Sequence, residues 1–366
     1  MSNQEDGKIH IRGMSLVVIA SLIVIAAGLK SSQDLMVPFL LSIFIATITA
    51  TPMFWLQRKG VPERLSLPVV MILMVLTIVL MGALIAQSTS AFSAKLPFYQ
   101  ERLVSLQGEA LEVLRPLLEP LNLTELSTVT ANFSPSSALD LAGTTLARLG
   151  GVLSNSFLIL LTVIFILAEA ASFPQKLGLV LRDPDSSLPH FARFAENVNR
   201  YIAIKTTVSA ATGVLVTLFL WILGVDFPIL WGLLAFLLNY VPTIGSIIAA
   251  VPPLLLALVQ LGPGSAIGVG AGFFAINLIM GNAIEPRFMG KGLGLSTLVV
   301  FLSLVVWGWV LGPVGMLLSV PLTMTAKIAL EANPGTAWIA VLLGPAEARS
   351  PSIRPSNEDK ETPSDA

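Results

Sequence analysis

Residues 236–253 read FLLNYVPTIGSIIAAVPP, and this stretch decides how the chain folds. It is an apolar run that is interrupted at 239–245 by asparagine, proline and glycine, residues that mark turns in water. A helix that breaks at bilayer depth frees backbone groups that lipid cannot satisfy, so the break is tolerated only where it lines a cavity or is buried in protein. The stretch therefore predicts a membrane helix that is broken beside an internal polar site.

The composition of the whole chain agrees with a membrane protein. Of its 366 residues, 54% are hydrophobic and only 12% are charged, and the mean hydropathy is +0.83. Soluble domains carry about 25% charged residues, and a soluble fold of 38.9 kDa could not bury this much apolar side chain. The lipid bilayer is therefore the expected partner, and an ordinary soluble enzyme is excluded.

Several apolar runs are long enough to be membrane segments, because a bilayer core needs roughly 20 apolar helical residues. They lie at 14–29, 36–57, 66–87, 151–171, 206–223, 229–260, 265–281 and 297–330. The predicted fold is all-α, a polytopic membrane helical bundle with about eight membrane segments. Broken or re-entrant helices are expected in its C-terminal half. The runs 229–260 and 297–330 are each either a single span or a hairpin.

Four units follow from the spacing of these runs. Residues 1–87 are predicted to form an N-terminal three-span membrane unit, and 151–344 a C-terminal membrane transport core. Between them, 88–150 is predicted to be a helical extramembrane arm, since its apolar residues recur at three- and four-residue steps. The proline-containing and charged tail at 345–366 is predicted to be disordered and cytoplasmic.

Basic residues indicate the orientation, since lysine and arginine concentrate in cytoplasmic loops. With the N-terminus inside, the cytoplasmic segments hold Arg58, Arg64, Arg200 and Lys205 among others, whereas the short loop after the first span holds only Lys30. Both termini of this multi-pass chain are then expected in the cytoplasm. Arg200 and Lys205 lie in an amphipathic segment, which predicts that both are at the inner membrane interface.

Polar side chains are rare in the C-terminal half, and those near the helix breaks are candidates for binding a substrate or an ion. The candidates are Asn239, Asn277, Asn282 and Glu285. Glu285 either binds a substrate or a coupling proton, or forms an interfacial ion pair with Arg287. Asn239 either contacts a ligand or caps the broken helix. The candidate hinges are the helix breakers Pro242, Gly245, Pro286, Gly290, Gly312, Gly315 and Pro321.

The sequence lacks the residues that several other chemistries need. It has no cysteine, and its two histidines, His10 and His190, lie outside the apolar runs. Neither a histidine metal cluster nor a cysteine- or histidine-based hydrolase is therefore expected in the membrane. The chain has no GxxxxGK motif followed by serine or threonine for ATP, and its net charge of −1 gives no basic field for nucleic acid. We expect no enzyme activity, no cofactor and no metal.

Four motifs together carry a resemblance to a known family. They are RYIAIKTTVSAATG at 200–213, the opening stretch at 236–253, IEPRFMGKGLGLS at 284–296 and GWVLGPVGMLLSVPL at 308–322. These motifs resemble the autoinducer-2 exporter family of permease-like membrane proteins. The family motif positions are Asn239, Pro242, Gly245, Glu285, Pro286, Gly290, Gly312, Gly315 and Pro321. Thr297 departs from the pattern, since members often have proline there.

The resemblance implies a bacterial transporter with eight membrane segments that forms a homo-oligomer in the cytoplasmic (inner) membrane. Members are associated with export of the quorum signal autoinducer-2, and some with sodium–proton antiport. The main hypothesis is a secondary transporter that exports a small solute by alternating access, with autoinducer-2 as candidate cargo and a proton or sodium gradient as energy source. The alternatives are a sodium–proton antiporter and a membrane scaffold that acts through the 88–150 arm.

Overall fold

The computed structural model describes residues 20–21, 23–118, 143, 156–170, 172, 176, 178–179, 184–242, 244–289, 294–331 and 335–345. The helices are α1 (Gln33–Arg58), α2 (Glu63–Leu118), α3 (Ser156–Ala170), α4 (Pro184–Leu223), α5 (Pro228–Leu238), α6 (Ile244–Leu261), α7 (Pro263–Asn277), a π-helix (Leu278–Ile284), α8 (Glu285–Met289), α9 (Thr297–Glu331) and α10 (Ala337–Leu342). A further helical stretch at 23–31 precedes α1. These described ranges contain no strand, and the all-α prediction is confirmed.

Apolar helices that expose their side chains make up most of this bundle. Among the described residues, six helices are long and apolar enough to cross a membrane, and α3 and α5 contain shorter apolar helices. In the most apolar part of α2 only 11% of the residues are buried, and Ile72, Leu73 and Leu80 all point outward. Such a surface would be an aggregation hazard in water but is solvated by lipid. The prediction of a polytopic membrane helical bundle is therefore confirmed.

The six long helices among the described residues are two fewer than the eight membrane segments that the sequence predicted. The run 14–29 extends beyond the described residues, and the run 229–260 divides into α5 and α6. α5 has 11 residues, which gives a length of about 17 Å, roughly half the thickness of a bilayer core. The run 229–260 is thus a hairpin with a short and a long leg, since Gln260 near the end of α6 bonds to the loop that precedes α5.

α9 folds back on itself at Gly312. This residue has a φ of 66° and a ψ of −151°, which interrupts the helix. The indole Nε1 of Trp307 donates a hydrogen bond to Thr323 Oγ1 at 3.0 Å, although the two residues are 16 positions apart. A straight helix would separate them by about 24 Å. The run 297–330 is therefore a helical hairpin whose two legs pack against each other.

The C-terminal half packs tightly where α4 meets α5. A Cβ atom on Gly232 would lie 1.8 Å from Thr217 Oγ1 and 2.6 Å from the Gly213 carbonyl oxygen, so only glycine permits this approach. The neighbouring Trp231 is completely buried. This contact fixes the position of α5, and with it the break that follows α5, against α4.

The long helix α2 continues past residue 88 without interruption and packs against the loop between α4 and α5. Asp226 in this loop accepts hydrogen bonds on Oδ2 from Lys95 Nζ and from the Tyr99 hydroxyl, both at 2.7 Å. Gln260 of α6 bonds to the backbone of the same loop. We name Lys95, Tyr99, Asp226 and Gln260 the Asp226 cluster. It ties the first part of the predicted arm to the C-terminal half.

Asp226→Ala is expected to lower the thermal unfolding midpoint of the purified protein. Tyr99 is fully buried, and loss of the carboxylate would leave its hydroxyl unpaired at a cost of about 1–3 kcal/mol. Glu101→Ala is the control, because Glu101 is exposed on the same helix. Differential scanning fluorimetry in detergent measures both midpoints. An unchanged midpoint for Asp226→Ala would contradict the role given to the cluster.

Candidate functional site

The chain leaves the helical path between α5 and α6, and the backbone there bonds to itself. The amide of Asn239 donates to the Ala235 carbonyl and the amide of Val241 to the Leu238 carbonyl, each at 2.9 Å. These bonds satisfy groups that lipid could not. A Cβ atom on Gly245 would lie 1.8 Å from the Leu238 carbonyl oxygen. Only glycine therefore lets α6 begin this close to the end of α5.

A small cavity lies beside this break. The volume open to the centre of a water-sized sphere is about 10 Å³. The cavity therefore has room for about one water molecule. Residues with polar side chains line it from four separate segments: Thr212 of α4, Asn239 of the break, Ser246 of α6 and Asn277 of α7. The rest of the lining is apolar. The structure thus brings together two of the four predicted binding residues, Asn239 and Asn277.

The side chain of Asn239 links the break to α4. Asn239 is 9% exposed, and its Nδ2 donates a hydrogen bond of 2.9 Å to Oγ of Ser209, which is fully buried. The end of α5 is bonded by the backbone N–H of Asn239 rather than by its side chain. The hydrogen bond to α4 therefore fixes the Asn239 side chain beside the cavity.

Glu285 forms an ion pair with Lys205. The ammonium Nζ of Lys205 lies 2.7 and 2.8 Å from the two carboxylate oxygens, and the two side chains are 4% and 18% exposed. Arg287, the partner considered from the sequence, is exposed. The pair connects α4 directly to the residue that follows the π-helix. It is the most buried ion pair among the described residues.

Lys205 lies inside the bundle, whereas the sequence placed it with Arg200 at the inner membrane interface. Arg200 is exposed, but five residues further along an α-helix the side chain direction has turned by about 140°. That rotation points Lys205 toward the protein, and only 3% of the residue is exposed. The structure thus turns Lys205 toward the bundle interior, and its depth at the inner membrane interface stays a prediction.

Sequence reasoning missed a polar face of α4. Lys205, Ser209 and Thr212 follow at spacings of four and three residues, which places them on one side of the helix, and all three are buried. Beside them, Thr206 accepts a hydrogen bond of 2.8 Å from the Tyr240 hydroxyl. We name Lys205, Thr206, Ser209 and Thr212 the α4 polar face. It runs about 10 Å along the helix, from the ion pair to the cavity. The three- and four-residue spacing of these polar residues within an apolar helix is the sequence signal that could have identified this face.

The fourth predicted binding residue is Asn282, and two of the candidate hinges follow it in the chain. Asn282 lies in the π-helix, is exposed and is not part of the cavity lining. Pro286 follows Glu285 in α8 and is also exposed. Gly290 lies outside the described residues. The cavity and the ion pair therefore involve three of the four predicted binding residues, and Asn282 belongs to neither.

The remaining candidate hinges lie in the two broken segments. Pro242 and Gly245 are at the break between α5 and α6. Gly312, Gly315 and Pro321 belong to the α9 hairpin, where a Cβ atom on Gly315 would lie 2.0 Å from the Trp307 carbonyl oxygen. The positions agree with bends in the chain, and their role as moving hinges stays a prediction.

A bundle of membrane helices that holds a broken helix, a small cavity lined in part by polar residues and a buried ion pair has the architecture of a membrane transporter. The chain belongs to the AI-2E family of transporters, whose family match covers residues 19–335. The resemblance that the four motifs carried is confirmed by this match. The prediction of a membrane transport function is confirmed at the level of the family.

Bacterial relatives match nearly the whole chain. A Haemophilus influenzae protein named "Putative transport protein" is 42% identical over 337 residues, which are 91% of this chain and 97% of that protein. The Escherichia coli "AI-2 transport protein TqsA" is 40% identical over 337 residues, covering 92% and 97% of the two chains. Escherichia coli "Putative transport protein YhhT" is 38% identical over 336 residues, covering 92% and 95%. The chain is thus a multi-pass membrane protein with bacterial transporters as relatives.

Gly245→Ala is expected to destabilise the protein by about 1–3 kcal/mol, because the added methyl group overpacks the break. Gly264→Ala is the matched control, since a Cβ atom there meets nothing within 4 Å. Thermal unfolding of both variants in detergent measures the difference. A Gly245→Ala midpoint equal to that of Gly264→Ala would show that the break tolerates a side chain.

Proposed function

We propose that the chain is a secondary transporter that exports a small polar solute by alternating access. The observation that carries the proposal is the cavity at the helix break, lined by Asn239, Asn277, Thr212 and Ser246 from separate segments. Amide and hydroxyl groups both donate and accept hydrogen bonds, so they suit a neutral polar solute. With room for about one water, the cavity is too small for a larger solute in this structure. A solute enters only when the segments around it separate.

The helix breaks supply the hinges for that separation in our proposal. Pro242 lies between α5 and α6, Gly245 lies in the first turn of α6, and Gly312 adopts a positive φ between the two legs of α9. Domain and loop motions in proteins concentrate their backbone rotation in a few such residues. The hinges therefore lie on two sides of the C-terminal half, one of them directly beside the cavity.

Autoinducer-2 is the proposed cargo, and its support is the 40% identity to TqsA, whose name states AI-2 transport. A proton or sodium gradient is the proposed energy source, supported by the buried Lys205–Glu285 pair, since ionisable groups inside membranes mark ion pathways. The proposed setting is the bacterial inner membrane, where the chain forms a homo-oligomer, as the family resemblance implies.

Asn277→Ala is expected to reduce autoinducer-2 transport into proteoliposomes roughly ten-fold, because a lost hydrogen bond is worth about 1–1.5 kcal/mol. Asn282→Ala is the matched comparison, since this asparagine is exposed and outside the cavity lining. Accumulation of the solute over time measures both. Wild-type flux equal to that of empty liposomes would refute the transport function. Equal losses in both variants would refute the cavity as the binding site.

Sodium–proton antiport is the second candidate function, and the buried ion pair favours it. A pH-sensitive dye inside proteoliposomes distinguishes the two candidates. An antiporter dissipates a proton gradient when sodium alone is added, whereas an exporter that couples flux to its cargo requires the solute. The scaffold alternative has less support, because the Asp226 cluster ties the start of the arm to the C-terminal half.

Cysteine labelling tests the proposed orientation, with both termini in the cytoplasm. Lys59 and Glu101 are exposed on the two sides of the apolar part of α2, and the helix between them is about 57 Å long, longer than a bilayer core is thick. The chain has no cysteine of its own. In spheroplasts, an impermeant maleimide is expected to label Glu101→Cys, and Lys59→Cys only after permeabilisation. The reverse pattern would contradict the orientation.

A further inference from the structure

The Lys205–Glu285 pair places two charges inside a bundle of apolar helices. Replacing a buried ion pair with apolar residues often leaves a protein equally stable or more stable, so stability alone is a weak reason for such a pair. The ammonium group of Lys205 contacts both carboxylate oxygens, at 2.7 and 2.8 Å. Any other cation that binds this carboxylate therefore meets the positive charge of Lys205.

We propose that Glu285 binds the coupling cation, a proton or a sodium ion, and that Lys205 competes with this cation for the carboxylate. The inference rests on the proposed transport function. Glu285 is the more accessible partner, 18% exposed against 4% for Lys205, so a cation reaches the carboxylate while the ammonium group stays inside. The exchange is non-covalent for sodium. A proton bonds to one carboxylate oxygen, and Lys205 keeps its own protons.

The π-helix connects this cation site to the cavity. It spans Leu278–Ile284, between Asn277, which lines the cavity, and Glu285. π-Helical segments are rare and occur frequently at functional sites. While Lys205 holds Glu285, the π-helix is fixed at its C-terminal end to α4. A cation that releases Glu285 frees this end, and Asn277 can then move away from Thr212 and open the cavity.

Among the described residues, two buried tyrosines and two exposed arginines are the titratable groups that we consider next to the pair. Tyr201 and Tyr240 are 6% and 4% exposed and share one cluster of buried side chains. The Tyr240 hydroxyl donates to Thr206, the residue after Lys205. Arg200 and Arg287 are exposed. Among the described residues, Glu285 is thus the carboxylate that a cation meets beside Lys205.

Substitutions of opposite effect at Lys205 test the competition. The thermal unfolding midpoint of the purified full chain is measured against sodium concentration at two fixed pH values, since a ligand that binds the folded state raises it. Lys205→Met removes the competitor and is expected to lower the half-saturating cation concentration roughly ten-fold. In Lys205→Arg the planar guanidinium group pairs with both carboxylate oxygens, so this variant is expected to raise the half-saturating concentration. Glu285→Gln is expected to abolish the response.

A purely structural ion pair would give a different pattern. Both Lys205 variants would then lose stability without any shift in the half-saturating sodium concentration. The double variant Lys205→Met with Glu285→Met would regain stability and keep gradient-driven transport. Either result overturns the inference. Glu169→Gln is the matched control, because it removes an exposed carboxylate that pairs with Lys176, and it is expected to leave the cation response unchanged.

Transport measurements separate this inference from the proposed function. Counterflow of autoinducer-2 without a gradient tests transport itself, and accumulation driven by a gradient tests coupling. Absent counterflow in the wild type contradicts the proposed function, while the cation titration still tests the site at Glu285. Two results overturn the cation site alone. One is normal counterflow together with accumulation that depends on neither the proton nor the sodium gradient. The other is gradient-driven accumulation in Glu285→Gln.

Discussion

The C-terminal half depends on how the backbone is satisfied where its helices break. Each unsatisfied peptide group in lipid costs several kcal/mol, so a broken helix must supply its own hydrogen bonds or be surrounded by protein. Between α5 and α6 the amides of Asn239 and Val241 bond to carbonyls that precede them in the chain. Polar side chains lie at the same place, because residues of α4, α6 and α7 surround the break with protein rather than with lipid.

Glycine determines how little space these breaks leave. A Cβ atom would lie 2.0 Å or less from a carbonyl oxygen at both Gly245 and Gly315, and close to Thr217 Oγ1 at Gly232. Backbones in such contact exclude water, which explains why the cavity beside the break is small. Contacts made by backbone rather than by interlocking side chains can also separate without any change of rotamer. Close packing at rest is therefore compatible with the opening that transport requires.

The sequence predicted the helices and their breaks better than it predicted the direction of the chain or its long-range contacts. The apolar runs and the NYVPTIG break correspond to described helices and to the gap between α5 and α6. Hydropathy does not show that α9 reverses at Gly312, because both legs are equally apolar. The pairing of Lys205 with Glu285 joins residues 80 positions apart, and counting Lys205 with the cytoplasmic loops hid the inward face of α4.

The α4 polar face connects the two parts of the site, and this connection sets a thermodynamic condition on the proposed transport cycle. Lys205 at one end holds Glu285, and Thr212 at the other end lines the cavity with Asn277. Coupling between two ligands is reciprocal. If a cation at Glu285 favours the open cavity, a solute that holds the cavity open must strengthen binding of the cation by the same factor. The π-helix lies between the two sites in the chain, so a movement of this segment would affect the binding of both ligands.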